Sequence, residues 1–94
     1  MLETSITRKI METLNQMENC RAMKLHGNQF TFNGTPDILC VRNGKAFFIE
    51  VKRPGNKATP KQLFELRKWA SAGAMGAVVY SVDEALQFIG ENNG

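Results

Sequence analysis

Asp37-Ile38-Leu39-Cys40-Val41-Arg42-Asn43-Gly44-Lys45-Ala46-Phe47-Phe48-Ile49-Glu50-Val51-Lys52 reads as a β-hairpin turning at Asn43-Gly44. Asn-Gly between two apolar runs supplies two residues that tolerate positive φ, as a tight two-residue hairpin turn requires. The pattern predicts one strand over Asp37–Arg42 and its antiparallel partner over Lys45–Lys52. Side chains alternate along a strand, so Glu50 and Lys52 project from one face and Ile49 and Val51 from the other. Asp37 opens the first strand, where its carboxylate can converge with Glu50.

Upstream, Ile6, Ile10, Leu14 and Met17 recur at helical spacing and predict a helix from about Leu2 to Asn19. At about 100° per residue, Glu3 lies within ~20° of Ile10 and Leu14 around the axis. It therefore falls on the face that packs inward, whereas Glu12 falls on the opposite side. Arg21–Leu25 alternates as a short edge strand, and Gly27–Gly34 reads as a loop whose Phe30 and Phe32 need cover.

Downstream, Thr59-Pro60-Lys61-Gln62 is a capping box with proline at the first helical position. It predicts a helix to about Ala72, ended by Gly73, with Leu63, Leu66 and Ala70 inward. Ala77–Tyr80 is a short apolar run that reads as a buried parallel strand. Ser81-Val82-Asp83-Glu84 is a second capping box and starts a final helix to about Gly90. The helical crossover makes the third and fourth strands parallel. The expected fold is α/β: an αβββαβ core with a C-terminal helix, its mixed four-stranded sheet flanked by helices, in a single domain over residues 1–94.

Ninety-four residues lie near the lower limit for one self-sufficient core. No apolar run reaches membrane-spanning length and no secretory signal opens the chain, so the expectation is a cytoplasmic protein with no membrane partner. Cys20 and Cys40 lack companions at zinc-ligand spacing and read as small apolar residues in a reducing compartment. The net charge is +3. Setting Glu3, Asp37 and Glu50 aside leaves 12 basic side chains against 6 of the 9 acidic ones. An acidic pocket in a basic surface suits a cation held beside phosphates.

Asp37 and Glu50 offer hard oxygen ligands of the kind magnesium and manganese prefer. Such an ion polarises a scissile phosphate and lowers the pKa of a bound water. Lys52 would orient or deprotonate that water, or offset the charge of the transition state. Glu3 would complete the pocket directly or through a water. Each residue also has a plainer reading. Glu50 and Lys52 fit a solvated charged pair, Pro36-Asp37 a turn, and Glu3 an acidic residue favoured at a helix N-terminus. Gln62 fits the reciprocal half of its capping box, His26 a bystander in a polar loop, and Trp69 a core or interface residue. A binding module without catalysis is the rival from another class, but carboxylates facing phosphate would repel it.

Taken together, Gly34-Thr35-Pro36-Asp37, Phe48-Ile49-Glu50-Val51-Lys52-Arg53-Pro54-Gly55 and Thr59-Pro60-Lys61-Gln62 resemble the signature of VRR-NUC domains, a branch of the PD-(D/E)XK nuclease superfamily. Glu3, Ile6, Ile10, Gly73, Val78, Val79 and Ser81 also fall where that branch has them, so the resemblance spans nearly the whole chain. It implies a restriction-endonuclease-like fold and magnesium- or manganese-dependent DNA phosphodiester hydrolysis. Glu3, Asp37, Glu50 and the Val51 carbonyl match the metal-binding positions, Lys52 the catalytic lysine and Gln62 the glutamine of the following helix. The compact stand-alone members, of phages and prophages in bacterial hosts, are similar to Holliday-junction resolvases acting as homodimers, while a eukaryotic relative is associated with flap-like substrates. The segment between Leu25 and Gly34 is short for the family. Lys24, Arg53, Lys57 and Lys61 flank the site in sequence and are the candidate DNA contacts.

Overall fold

The computed structural model describes residues 2–25 and 33–91. His26, Phe30, Phe32 and the 27–32 part of the expected loop lie outside the described residues. Asn43 and Gly44 take φ values of 50° and 82°, and between them they join β2 (Ile38–Arg42) to β3 (Lys45–Val51). Two consecutive positive φ values give the hairpin its tight return, and Arg42 pairs with Lys45 directly across it. β1 (Cys20–Lys24) adds antiparallel to β2, and β4 (Met75–Val79) adds parallel to β3. The sheet is four-stranded and mixed, in the order β1-β2-β3-β4.

One sheet face carries Ala22, Ile38, Cys40, Phe47, Ile49, Val51 and Val79, all buried. Against it lie Ile6, Ile10 and Leu14 of α1 (Glu3–Asn15), with Ala85 and Ile89 of α3 (Val82–Glu91). Phe47 meets Phe88 of α3 edge-on, with ring centroids 5.5 Å apart. At about 25 cal/mol per Å2 of apolar area removed from water, this layer is the main stabilising term. The β3–β4 half of the opposite face is covered by α2 (Pro60–Ser71), whose Trp69 stacks on Phe48 at 4.2 Å.

Capping fixes where the helices begin. The Thr59 hydroxyl accepts from the Gln62 N–H at 3.1 Å, and Gln62 Oε1 accepts from the Thr59 N–H at 2.8 Å. Both halves of the expected capping box are therefore formed. Ser81 Oγ accepts from the Glu84 N–H at 3.1 Å at the start of α3.

Three expectations are corrected. α1 ends at Asn15 rather than Asn19, because the chain turns through Gln16–Glu18 and enters β1 through Asn19 at φ 54°. Met17 still packs against the core from that turn. On α2, only Leu66 of the three expected inward residues is buried; Leu63 is 38 % exposed and Ala70 is exposed. α2 approaches the sheet closely at one point, where a Cβ on Gly76 would come within 3.2 Å of the Leu66 carbonyl oxygen. The Phe48–Trp69 stack fills the gap one turn further on. β4 is an outer strand in which only Val79 is buried, not an enclosed one.

Asn15 performs a task at the outer edge of β1. Its Oδ1 accepts from the Ala22 N–H at 2.8 Å, and its Nδ2 donates to the Ala22 carbonyl at 3.1 Å. The amide imitates a neighbouring strand and satisfies backbone groups that an edge leaves open. Asn15→Ala should therefore cost ~1 kcal/mol or more in urea unfolding, with faster hydrogen exchange at the Ala22 amide. Unfolding and exchange equal to the parent would show that water replaces the side chain at no cost.

Candidate metal centre

The hairpin register puts Ile38 opposite Ile49, so the next residues outward, Asp37 and Glu50, face each other at its open end. Asp37 Oδ2 accepts from the Val51 N–H at 2.7 Å, and its backbone carbonyl accepts from the Leu25 N–H at 2.8 Å. These two bonds tie Asp37 to β3 on one side and to the end of β1 on the other. Glu50 lies on the sheet face opposite the main core, beneath α2, and is only 2 % exposed. Lys52, just past the end of β3, is anchored by its N–H to the Val79 carbonyl at 3.0 Å. Its Nζ stands 3.8 Å from Glu50 Oε2, and both side chains are largely buried. The predicted convergence of Asp37, Glu50 and Lys52 is thus present.

Electrostatics mark Glu50 as the strained member. Burial pushes its carboxyl up to about 8, and the charge of Asp37, a hydrogen bond shared with Asp37 and the charge of Glu3 act in the same direction. The Lys52 ammonium opposes them without winning. Two carboxyl groups in one dry corner cannot both ionise cheaply unless more positive charge is brought in. Glu50 Oε1 is also buried without a hydrogen-bond partner. An orphaned hard oxygen beside a second carboxylate fits a divalent cation such as magnesium or manganese.

Glu3 sits apart from this pair. Its Oε2 accepts from Asn56 Nδ2 at 3.0 Å and from the Arg53 N–H at 3.4 Å. The Asn56 bond is the main reason its pKa lies below the ordinary carboxylate range. Among the described residues, no three His, Cys, Asp or Glu side chains gather closely enough to hold one ion between them. Glu3 therefore ties the first turn of α1 to the 53–56 turn and adds negative charge near Glu50. Asn56 is the partner that motif spacing missed; its only sequence signal is its place in the Pro54-Gly55-Asn56 turn.

The remaining candidates are placed as follows. Val51 is buried between Glu50 and Lys52. Gln62 directs its side-chain oxygen at the Thr59 N–H. Lys24, at the end of β1, helps line a cleft of about 680 Å3 with Thr4, Thr7, Arg8 and Asn15 of α1. Arg53 and Lys57 are exposed in the connection before α2, and Lys61 Nζ pairs with Glu65 at 3.4 Å. Lys61 also packs at Gly34, where a Cβ would come within 2.7 Å of its Cγ and where φ is 87°. Only glycine fits there, so Gly34 seats the Thr35-Pro36-Asp37 approach against α2.

No family model matches the chain. A solved structure described as a VRR-NUC domain superposes with a TM-score of 0.76 at 26 % identity, covering 96 % of each chain. A second, described as a VRR-NUC domain protein, superposes at 0.74 and 19 % identity, covering 97 % of this chain and 87 % of its own, which speaks for the fold alone. The protein named "Putative nuclease p44" of Acyrthosiphon pisum secondary endosymbiont phage 1 is 41 % identical over 51 residues, or 53 % of this chain and 52 % of that relative. The match thus spans about half the length of that phage relative. The chain superposes on the first of these structures over nearly its whole length, and its fold is that of a VRR-NUC domain.

Proposed function

We propose that the chain is a divalent-cation-dependent DNA endonuclease that hydrolyses phosphodiester bonds in branched DNA, cutting four-way junctions as a homodimer. The observation that carries the nuclease reading is the facing Asp37–Glu50 pair, with Glu50 buried and the Lys52 ammonium 3.8 Å from its carboxylate. A phosphate-binding surface without catalysis gains nothing from two carboxylates that repel its ligand, so the pair makes sense as a cation cradle. The likeness to a VRR-NUC domain and to a phage protein named as a nuclease supports the same reading.

Asp37 and Glu50 would hold the cation, with the Val51 carbonyl beside them and Glu3 acting directly or through water. When bound, magnesium or manganese supplies the positive charge that polarises the phosphate and acidifies a water. Asp37 has a second task, because its bond to the Val51 N–H fixes the spacing of the two carboxylates. Lys52 orients the attacking water, or sets its charge against the negative charge that builds on the phosphate oxygens. Its contact with Glu50 holds the ammonium in place before substrate arrives. Gln62 stands at the first turn of α2, and Lys24, Arg53, Lys57 and Lys61 would take flanking phosphates.

The homodimer is supported by a face that α2 leaves open. Met23 lies opposite Leu39, and Leu39 opposite Phe48; Val41 lies opposite Ala46. Residues directly opposite share a face, so Met23, Leu39, Val41 and Ala46 form one apolar surface that runs up to the covered Phe48, with Met23 54 % and Val41 42 % exposed. A twofold pair would cover that surface and present two sites to the symmetric strands of a junction.

The test is cleavage of labelled four-way junction, flap and linear duplex with magnesium, with manganese and with chelator. Paired symmetric nicks confined to the junction are expected; cutting of flaps or duplex instead would replace the junction assignment, and no cleavage of any substrate would leave a binding module. Asp37→Asn and Lys52→Ala should each lower the rate at least ~100-fold. Asp37→Asn retains an acceptor for the Val51 N–H, so it should fold and hold DNA as tightly as the parent or tighter. Parental cleavage rates in either variant would rule out this site.

The raised Glu50 pKa gives a pH signature. A carboxyl whose pKa is higher folded than unfolded takes up a proton on folding, so its stabilising contribution is full below the ordinary 4.5 and is lost as pH climbs through about 8. In chelator, Glu50→Gln should therefore melt higher than the parent at about pH 8, by on the order of 5 °C, and converge with it as pH falls towards 5. Manganese should stabilise the parent more at about pH 8 than at pH 6, because binding displaces the Glu50 proton, and should do little for Glu50→Gln. Equal metal shifts in both proteins would place the cation elsewhere.

A further inference from the structure

Phe64 stands on the outer face of α2, 45 % exposed. Lys61 Nζ lies 5.1 Å from its ring centroid and Lys68 Nζ 5.8 Å. Spacings of three and four residues put all three on one stripe of the helix, directed away from Leu66, the buried residue of α2. The stripe starts beside the proposed centre, since Lys61 packs against Gly34, three residues before Asp37. From Lys61 to Lys68 is about 10 Å along the axis, a span that reaches neighbouring phosphates of one strand.

A large aromatic ring on the solvent pole of a helix adds nothing to the core, and the two ammonium groups beside it make the stripe positive. Glu65 offsets Lys61 through its 3.4 Å contact but is itself turned inward, its side chain 13 % exposed. Positive charge on both flanks of an exposed π-face is the arrangement in which a base stacks while lysines take its phosphates. An apolar protein partner would have to bury both ammonium groups, which is costly. Bases inside a duplex have no free face to offer, so the ring requires an unpaired nucleotide.

We propose that Phe64, flanked by Lys61 and Lys68, is a stacking platform for an unpaired nucleotide of the DNA next to the cut. The inference rests on the nuclease reading for its substrate class but makes a separate demand. Base stacking tolerates any sequence and adds little salt dependence, whereas each lysine–phosphate contact adds a salt-dependent increment. The two kinds of residue therefore leave different marks on binding.

The experiment measures anisotropy of labelled DNA without divalent metal, across a salt series, for a duplex with a short single-stranded gap and for the same duplex fully paired. Phe64→Ala should weaken gapped DNA about tenfold with the slope against log salt unchanged, while paired duplex moves less than about twofold. Phe64→Trp should restore the affinity. Lys68→Ala should weaken both DNAs and lower the salt slope by about 0.9. Thermal melts confirm that each variant is folded, as expected for so exposed a position.

Parental affinity of Phe64→Ala for gapped DNA overturns the proposal, as does equal weakening on both DNAs. Conversion of Phe64→Ala to a smaller species in sedimentation would assign the ring to a contact between copies, and overturns it too. Cleavage by the parent, read on the same DNAs with manganese, is independent. Selective loss in Phe64→Ala by a protein that never cuts would sink the nuclease reading and leave the platform standing.

Discussion

The hydrogen bond from the Val51 N–H to Asp37 Oδ2, 2.7 Å long, holds together two side chains that repel each other. Glu50 is buried beside Asp37, and neither desolvation nor the neighbouring charge favours that placement. Left to electrostatics, the mouth of the hairpin would open. It stays closed because the hairpin is pinned at its other end by Asn43-Gly44, and because Ile38, Cys40, Phe47, Ile49 and Val51 are committed to the core between the two. A one-residue slip of β3 would turn Phe47, Ile49 and Val51 out of the core and turn Glu50 into it. The packing of five apolar side chains thus sets the register, and the register sets the separation of two carboxylates.

The same logic explains why the centre sits where it does. α1 and α3 cover one sheet face completely, and α2 covers only the β3–β4 half of the other. Glu50 and Lys52 emerge at the carboxyl end of β3, next to the carboxyl end of its parallel neighbour β4, with the first turn of α2 overhead. Open α/β sheets expose their binding crevices at the carboxyl ends of parallel strands, because there the connections diverge. Gly34 and Asn56 complete the rim, the first by letting the approach to Asp37 press on α2 and the second by holding Glu3. Neither belongs to the proposed cation set; both decide where its members stand.

Much of this was legible in the sequence because it depends on local rules. Asn-Gly specifies the turn, alternation specifies which residues of β3 share a face, and both capping boxes announce their helices. Mixed sheet order follows from the crossover through α2. What escaped depends on distances between elements. The end of α1 is set by where the chain must enter β1, through a positive φ at Asn19. Leu63 and Ala70 stay exposed because α2 touches the sheet closely at Gly76 and is then spaced by the Phe48–Trp69 stack. Periodicity places a residue on a helix face but says nothing of how far that face stands from its neighbour. Glu3 shows the same boundary: its inward angle follows from the helix period, while its bond to Asn56, more than 50 residues away, does not.

The described residues present surfaces of distinct chemistry, and the proposed function divides the work among them. Three regions answer to that division without overlapping: the carboxylate corner at the end of β3, the stripe on the outer side of α2, and the open apolar face of β1 and β2. The first is dry and acidic, the second wet and basic, the third apolar. Among the described residues, Lys52 is the basic group that reaches Glu50, and its backbone bond to Val79 together with its burial holds it there. Gly34 joins two of the regions, pressed on Lys61 at one side and leading to Asp37 at the other. A shift of α2 on engagement of the proposed stripe would therefore be felt at Asp37 through three residues of backbone.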